Sequence, residues 1–207
     1  MIRIIVSVKL KNVGVIVLAG GNSSRMSFPK SWLTYFNNQT FLETIIYKYR
    51  SFGFKEITIS LNKADFLTKY DSKIEELKRI STFVKNNSPE KGRLYSLHTA
   101  LNQLQAVDFA IIHNVDNPFV ENDVINTLLN EKNYSGSTIP SYLGQSGHPI
   151  IINKMIIEEI VNNYEKYETL KELVGSFERK YVDVNSSSIL KNINTPEEYN
   201  NLMNELV

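Results

Sequence analysis

Apolar positions along the chain form two kinds of run, one continuous and one at helical spacing. Residues 13–18 form an uninterrupted aliphatic run, which is typical of a parallel strand covered by helices on both faces. Apolar residues then recur at helical spacing between Phe41 and Tyr49, and Gly53 follows as a helix stop. A second strand is predicted at residues 56–60. The pattern therefore predicts a strand, helix, strand unit.

The same alternation continues to the end of the sequence. Further helices are predicted at about 63–79, 93–105, 121–130, 154–164 and 169–177, and further strands at 81–84, 109–113, 137–139, 149–152 and 180–184. A last helix begins after Thr195, with Pro196 at its first position and Glu198 placed to complete a capping box. Such alternation predicts a three-layer α/β fold with a mostly parallel sheet.

Neither a repeat nor a Pro/Gly-rich linker divides the sequence. We therefore expect one domain over residues 1–207, with residues 1–12 as an extra strand or extension. The opening apolar run is too short to span a bilayer, and no other run approaches that length.

Charge and composition narrow the class of partner. The 23 basic and 22 acidic residues nearly balance, which argues against a nucleic acid or an anionic membrane and favours a small substrate. The absence of cysteine excludes disulfides and thiolate chemistry, and it fits the reducing cytoplasm, where we expect the protein. With only three histidines, a histidine-built metal cage is disfavoured.

Ligands of an open α/β sheet bind beyond the carboxyl ends of its strands, and the first such segment is residues 18–30, LAGGNSSRMSFPK. Gly20 and Gly21 let the backbone turn tightly and present N–H groups to an anion, and Arg25 and Lys30 add positive charge. The segment is neither a Walker loop nor a dinucleotide fingerprint. It predicts a polyphosphate site; the alternative is an ordinary strand-to-helix turn with solvated basic residues.

This string resembles the signature of the MobA-like NTP transferases, Leu-Ala-Ala/Gly-Gly-x-Ser-x-Arg-Met-Gly-x-x-Lys. The family's glycine after methionine is Ser27 in this chain. The resemblance implies a Rossmann-like nucleotidyltransferase fold of the nucleotide-diphospho-sugar transferase type. It also implies that the nucleotide is bound by Leu18, Ala19, Gly20, Gly21, Arg25 and Lys30.

Residues 87–97 resemble the family's Asn, Pro, Gly and Ser segment at the head of a helix. The resemblance implies that Gly92 and Ser96 also help to hold the nucleotide. Without the family, Gly92 is a helix start and Ser96 a hydroxyl in the first turn.

Asp116 directly follows the apolar strand at 109–113, where a carboxylate would meet the ligands of the sheet. The family's Asp-Met-Pro is Asp-Asn-Pro here, with Asn117 replacing methionine, and the resemblance makes Asp116 a metal ligand. In the family's Asp-Ile-Asp-Thr-Pro-Glu motif, the second acid is Asn194, whose amide oxygen can still coordinate a cation. We expect Mg²⁺, with Mn²⁺ able to replace it; the alternatives are a turn at Asp116 and a plain helix cap after Asn194.

Gly147, His148 and Pro149 form a string typical of the molybdenum cofactor cytidylyltransferases. The resemblance implies that His148 contacts the phosphate of the acceptor or helps to order the site. A loop histidine without a chemical role is the alternative.

Together these segments predict an enzyme that transfers NMP from an NTP to a small phosphorylated acceptor and releases pyrophosphate. Lys30, Arg25 and Asp116 are its expected catalytic residues. The resemblance of the Gly-His-Pro string implies that the acceptor is the phosphate of molybdopterin or of its molybdenum-loaded form, with sugar phosphates and methylerythritol phosphate as alternatives. CTP is favoured over GTP on the Gly-His-Pro string, although Leu-Ala-Gly-Gly is closer to guanylyltransferases.

Two rival classes remain open. The departures at Ser27, Asn117 and Asn194 suggest a nucleotide-binding regulator without catalysis. A flavodoxin-like binding module has the same strand and helix order but does not explain Arg25 and Lys30.

Overall fold

A computed structural model describes residues 10, 12–21, 25–26, 28–67 and 70–205. The extension expected at residues 1–12 falls outside these ranges except for Leu10 and Asn12, and Ser27 also lies outside them. In the described part of the chain, no helix is long and apolar enough to cross a membrane.

The strands of the described residues form one eight-stranded sheet. They are β1 (Val13–Ala19), β2 (Ile57–Asn62), β3 (Thr82–Asn86), β4 (Phe109–Asn114), β5 (Gly136–Tyr142), β6 (Gln145–Ser146), β7 (Ile150–Asn153) and β8 (Glu178–Asp183). Their order is β3-β2-β1-β4-β7-β5-β6, and β8 pairs with β5. The pairs β3–β2, β2–β1, β1–β4 and β5–β8 are parallel, so the predicted mostly parallel sheet is confirmed.

The strand β7 runs antiparallel to both of its neighbours, β4 and β5. The reversal begins at a two-residue turn, Leu143 and Gly144, which joins β5 to β6. Both turn residues have positive φ, 49° and 79°, as a tight hairpin of primed type requires. The chain therefore re-enters the sheet from the opposite end.

Seven α-helices flank this sheet in the described residues. They are α1 (Phe41–Phe52), α2 (Asp71–Leu77), α3 (Gly92–Leu101), α4 (Asn122–Asn130), α5 (Lys154–Asn163), α6 (Leu170–Gly175) and α7 (Pro196–Asn204). The predicted capping box before α7 is present, since the Thr195 side chain accepts from the Glu198 N–H and the Glu198 side chain accepts from the Thr195 N–H. The predicted helix at 63–79 is shorter than expected, because a 3-10 turn at Lys63–Leu67 precedes α2.

Two apolar cores cover the two faces of the sheet. Alternate residues of β1 enter opposite cores, because side chains of a strand point alternately to its two faces. Val15 and Val17 pack with residues of α1, α2, α4 and α7, whereas Ile16 and Leu18 pack with residues of α3, α5 and α6. This explains why β1 is apolar at every position, and it fixes the three-layer architecture.

Gly136 begins β5 and pairs with Glu178 of β8. A Cβ added at Gly136 would lie 1.9 Å from the carbonyl oxygen of Glu178. We expect Gly136→Ala to lower the free energy of unfolding by about 1–3 kcal/mol, as overpacking of a close contact does. Gly175→Ala is the control, because a Cβ there meets nothing within 4 Å. Thermal unfolding of both variants tests this, and equal melting temperatures would contradict it.

Candidate active site

A cleft opens at the carboxyl ends of β1 and β4. The two strands are parallel neighbours with Leu18 opposite Asn114, so the segments that follow them leave the sheet side by side. The cleft has a volume of about 190 Å³. Its walls are formed by Leu18, Ala19, Gly20, Gly21, Lys30, Pro89, Gly92, Arg93, Ser96, Asn114, Val115 and Asp116.

The structure thus brings most of the expected nucleotide-binding residues into one cleft, from Leu18 to Gly21 in the first loop to Ser96 in α3. Arg25 is the exception. Its side chain is exposed, and it does not line the cleft. Its charge nevertheless acts on Lys30, as described below.

Asn86 packs closely against Gly20 of the glycine loop and is bound to Ser96 of α3. A Cβ at Gly20 would lie 2.8 Å from the amide nitrogen of Asn86, so only glycine allows this approach. The fully buried Asn86 donates to the hydroxyl oxygen of Ser96 at 2.9 Å, and its amide oxygen accepts from the Ser88 N–H. Ser96 donates in turn to the Gly92 carbonyl. The Ser96 hydroxyl therefore supports the cleft wall.

Sequence reasoning assigned no role to Asn86 or Arg93, although both shape the cleft. Arg93 is the first residue after Gly92, whose φ of 82° makes the sharp turn into α3. The signal for Arg93 was a basic residue directly after the glycine. The signal for Asn86 was weaker, an amide two residues after the predicted strand at 81–84.

Lys30 is one of the two basic residues that line the cleft among the described residues. Its Nζ donates to Oδ1 of Asn194 at 2.7 Å and lies 3.8 Å from Oδ2 of Asp116. Burial lowers the pKa of Lys30, and the charge of Arg25 lowers it further, while Asp116 opposes both effects. The 3-10 turn that begins at Lys30 is anchored by buried Trp32, whose ring stacks on Tyr70 with centroids 4.7 Å apart.

The segment before α7 is fixed next to Asp116 by backbone bonds. The N–H of Ile193 donates to the carbonyl of Asp116 at 2.7 Å. The N–H groups of Asn194 and Thr195 both donate to the Glu198 carboxylate of the capping box. A helix cap therefore places the Asn194 amide beside the Asp116 carboxylate, although the two lie far apart in sequence.

The donor set around Asp116 suits a hard divalent cation. Its Oδ1 is buried and has no hydrogen-bond partner among the described residues. Those residues contain no group of three or more His, Asp and Glu side chains that could cage a metal. One carboxylate and one amide match Mg²⁺, which is usually held by few protein ligands together with substrate phosphates.

Asn117, where the family has methionine, supports the turn that carries Asp116. It is fully buried, its amide nitrogen donates to the Ser188 carbonyl at 3.0 Å, and its oxygen accepts from the Phe119 N–H.

Buried His113 lies behind Asn117. Its Nε2 is 2.6 Å from the backbone carbonyl oxygen of Asn117, and its Nδ1 is 2.9 Å from the Tyr49 hydroxyl. Since a carbonyl only accepts, Nε2 carries the proton and Nδ1 accepts from Tyr49.

The loop with His148 is bound to the same segment that supports Asn117, residues 188 and 189. The His148 N–H donates to the Ile189 carbonyl, and a Cβ at Gly147 would lie 2.2 Å from that oxygen. Burial lowers the pKa of His148, Arg93 lowers it further and Asp116 raises it. His148 therefore lies within electrostatic reach of Arg93 and Asp116, two of the charged residues that line the cleft.

The family model of the MobA-like NTP transferase domain matches residues 15–181. The chain belongs to the MobA-like NTP transferase family. It is accordingly a nucleotidyltransferase, and the resemblance seen in the sequence is confirmed.

The relatives of this MobA-like chain include a guanylyltransferase and a cytidylyltransferase. It is 28% identical over 201 residues to a probable molybdenum cofactor guanylyltransferase of Clostridium perfringens, covering 90% of this chain and 94% of the relative. It is 28% identical over 151 residues to the 2-C-methyl-D-erythritol 4-phosphate cytidylyltransferase of Thermosipho africanus, covering 70% and 64% of the two chains.

A solved structure shows the same fold. It is a Mycobacterium tuberculosis protein in complex with manganese, with a TM-score of 0.72 and 18% identity, and the match covers 94% of this chain and 99% of that one.

His113 is expected to remain neutral across the physiological range. Burial lowers its pKa to about 4, so the folded state takes up this proton far less readily than the unfolded state. Its contribution to stability is full above about pH 6.5 and is lost as the pH falls toward 4. NMR titration of the imidazole should show no transition above pH 5, whereas the urea-unfolded chain should titrate near 6.5. A folded-state transition near 6.5 would contradict the buried network.

Proposed function

We propose that this chain transfers a nucleoside monophosphate from an NTP to the phosphate of a pterin acceptor such as molybdopterin. The observation that carries the proposal is the cluster of Lys30, Asp116 and Asn194 beside the glycine loop, at the ligand end of a MobA-like fold. The guanylyltransferase relative, matched over most of both chains, supports the acceptor class.

The reaction needs no protein nucleophile. An oxygen of the acceptor phosphate attacks the α-phosphorus, and the bond to the β-phosphate oxygen breaks, so that pyrophosphate leaves with the electron pair. The task of the protein is to bring two anions together in line and to offset their repulsion. Gly20 and Gly21 offer backbone N–H groups to the nucleotide, while Lys30 and Arg25 balance the charge of the triphosphate.

Asp116 and Asn194 would hold a divalent cation, Mg²⁺ or Mn²⁺, which supplies charge neutralisation at the phosphate oxygens. His148 is assigned to the acceptor side, since it lies within electrostatic reach of Arg93 and Asp116. An imidazole with a lowered pKa is neutral at pH 7 and can donate one hydrogen bond to an acceptor phosphate without adding charge.

The nucleotide in this proposal is GTP. The basis for CTP was the Gly-His-Pro string; in the fold that loop packs on Ile189, and its histidine lies within electrostatic reach of Arg93 and Asp116. The Leu-Ala-Gly-Gly form and the guanylyltransferase relatives favour a purine. CTP is the second candidate, favoured by Gly-His-Pro itself and by the cytidylyltransferase relative.

Replacing Asp116 with Asn should lower the rate of pyrophosphate release at least about 100-fold, because the cation contributes several kcal/mol of charge stabilisation. Asp123→Asn changes an exposed carboxylate at the start of α4 and should leave the rate unchanged. Turnover with GTP, molybdopterin and Mg²⁺ measures the effect, and melting curves check folding. An unfolded Asp116→Asn variant, or full activity in excess chelator, would oppose the assignment.

The base preference is tested by competition. With Mg²⁺ held constant, GTP should displace a fluorescent nucleotide at least about tenfold more effectively than CTP, as expected when a buried polar group discriminates between bases. ATP is the control for general triphosphate affinity. A preference for CTP would overturn the guanylyl assignment and leave the nucleotidyltransferase reaction intact.

A further inference from the structure

The side chain of Lys30 contacts the two residues proposed to hold the cation. Its Nζ is 2.7 Å from Oδ1 of Asn194 and 3.8 Å from Oδ2 of Asp116, so it contacts both proposed ligands at once. Only 13% of the Lys30 side chain and 20% of the Asp116 side chain are exposed. This ammonium meets the Asp116 carboxylate through Oδ2 and leaves Oδ1 without a partner among the described residues. A divalent cation that binds both Asp116 and the Asn194 oxygen would have to displace it.

The charges around this position do not favour a free divalent cation. Because Asn194 is neutral, Asp116 is the one carboxylate in contact with Lys30 that the structure shows, and the ammonium already balances it. Glu198 adds a second negative charge nearby, and Arg25 adds a positive one. Two cations a few ångströms apart in a partly buried site repel strongly.

We propose that the Lys30 ammonium occupies the cation position between Asp116 and Asn194 until a nucleotide arrives, so that the divalent cation enters only together with the triphosphate. The phosphates supply the negative charge that the neutral Asn194 lacks. They also offer Lys30 a new partner, which releases the two ligand oxygens. The inference rests on the proposed function, because it takes Asp116 and Asn194 as the ligands of the cation.

The test measures Mn²⁺ binding to the nucleotide-free protein, from the EPR signal of unbound Mn²⁺. Lys30→Met removes the charge and keeps most of the length of the side chain, so Mn²⁺ affinity should rise at least about tenfold over wild type. Lys30→Arg retains a cation and should not show this rise. Lys191→Met is the matched control, since it removes the same charge from an exposed lysine paired with Glu205.

A second background keeps the measurement sensitive. Asn194→Asp adds a carboxylate and should itself strengthen Mn²⁺ binding, and Lys30→Met should strengthen it further in that background. Asp116→Asn should abolish the gain in both, which identifies the Asp116 carboxylate as the ligand involved. Melting curves establish that each variant is folded, and Lys30→Gln replaces Lys30→Met if the latter is not.

Equal Mn²⁺ affinity with and without the Lys30 charge, in both backgrounds, would overturn the proposal that the Lys30 ammonium occupies the cation position before the nucleotide binds. That result would leave the proposed function standing if wild-type pyrophosphate release still required a divalent cation. Pyrophosphate release in excess chelator would instead oppose the metal role in the proposed function. The two failures are therefore distinguishable, because one is read from binding without nucleotide and the other from turnover.

Discussion

The parallel pairing of β1 with β4 is the constraint on which the site depends. It places the glycine loop after β1 beside the Asp116 turn after β4, and the Val115 N–H donates to the Leu18 carbonyl at 3.1 Å where the two segments leave the sheet. The other residues of the site come from elements that lie next to this edge of the sheet. The 3-10 turn supplies Lys30, α3 supplies Arg93, and the cap of α7 supplies Asn194.

The sequence predicted the sheet well because burial leaves a local trace. A strand covered on both faces must be apolar throughout, as β1 is. The start of a helix can be read from the residues of a capping box, as in α7. The reversed direction of β7 leaves no such trace. It follows from two positive φ angles at Leu143 and Gly144, and leucine gives no hint of that conformation.

Individual residues of the site could be predicted from the sequence, but the contacts between them could not. The resemblance pointed to Lys30, Asp116 and Asn194 separately, but their contacts with one another join distant segments and cannot be seen in any local pattern. Asn86 was missed for the same reason, since β2 lies between its strand and the loop with Gly20. Asn117 departs from the family's methionine, yet its amide completes a buried hydrogen-bond network that keeps the Asp116 turn in place.

The hydrogen bond between Lys30 and Asn194 spans 164 residues of sequence. Contacts of such long range form late, because the entropy of closing the intervening chain must be overcome before they contribute. On the ribosome, the glycine loop and β4 can assemble while the segment that carries Asn194 is still in the exit tunnel. The chemistry of the site is thus completed only when α7 has emerged, although β1 and β4 are synthesised much earlier.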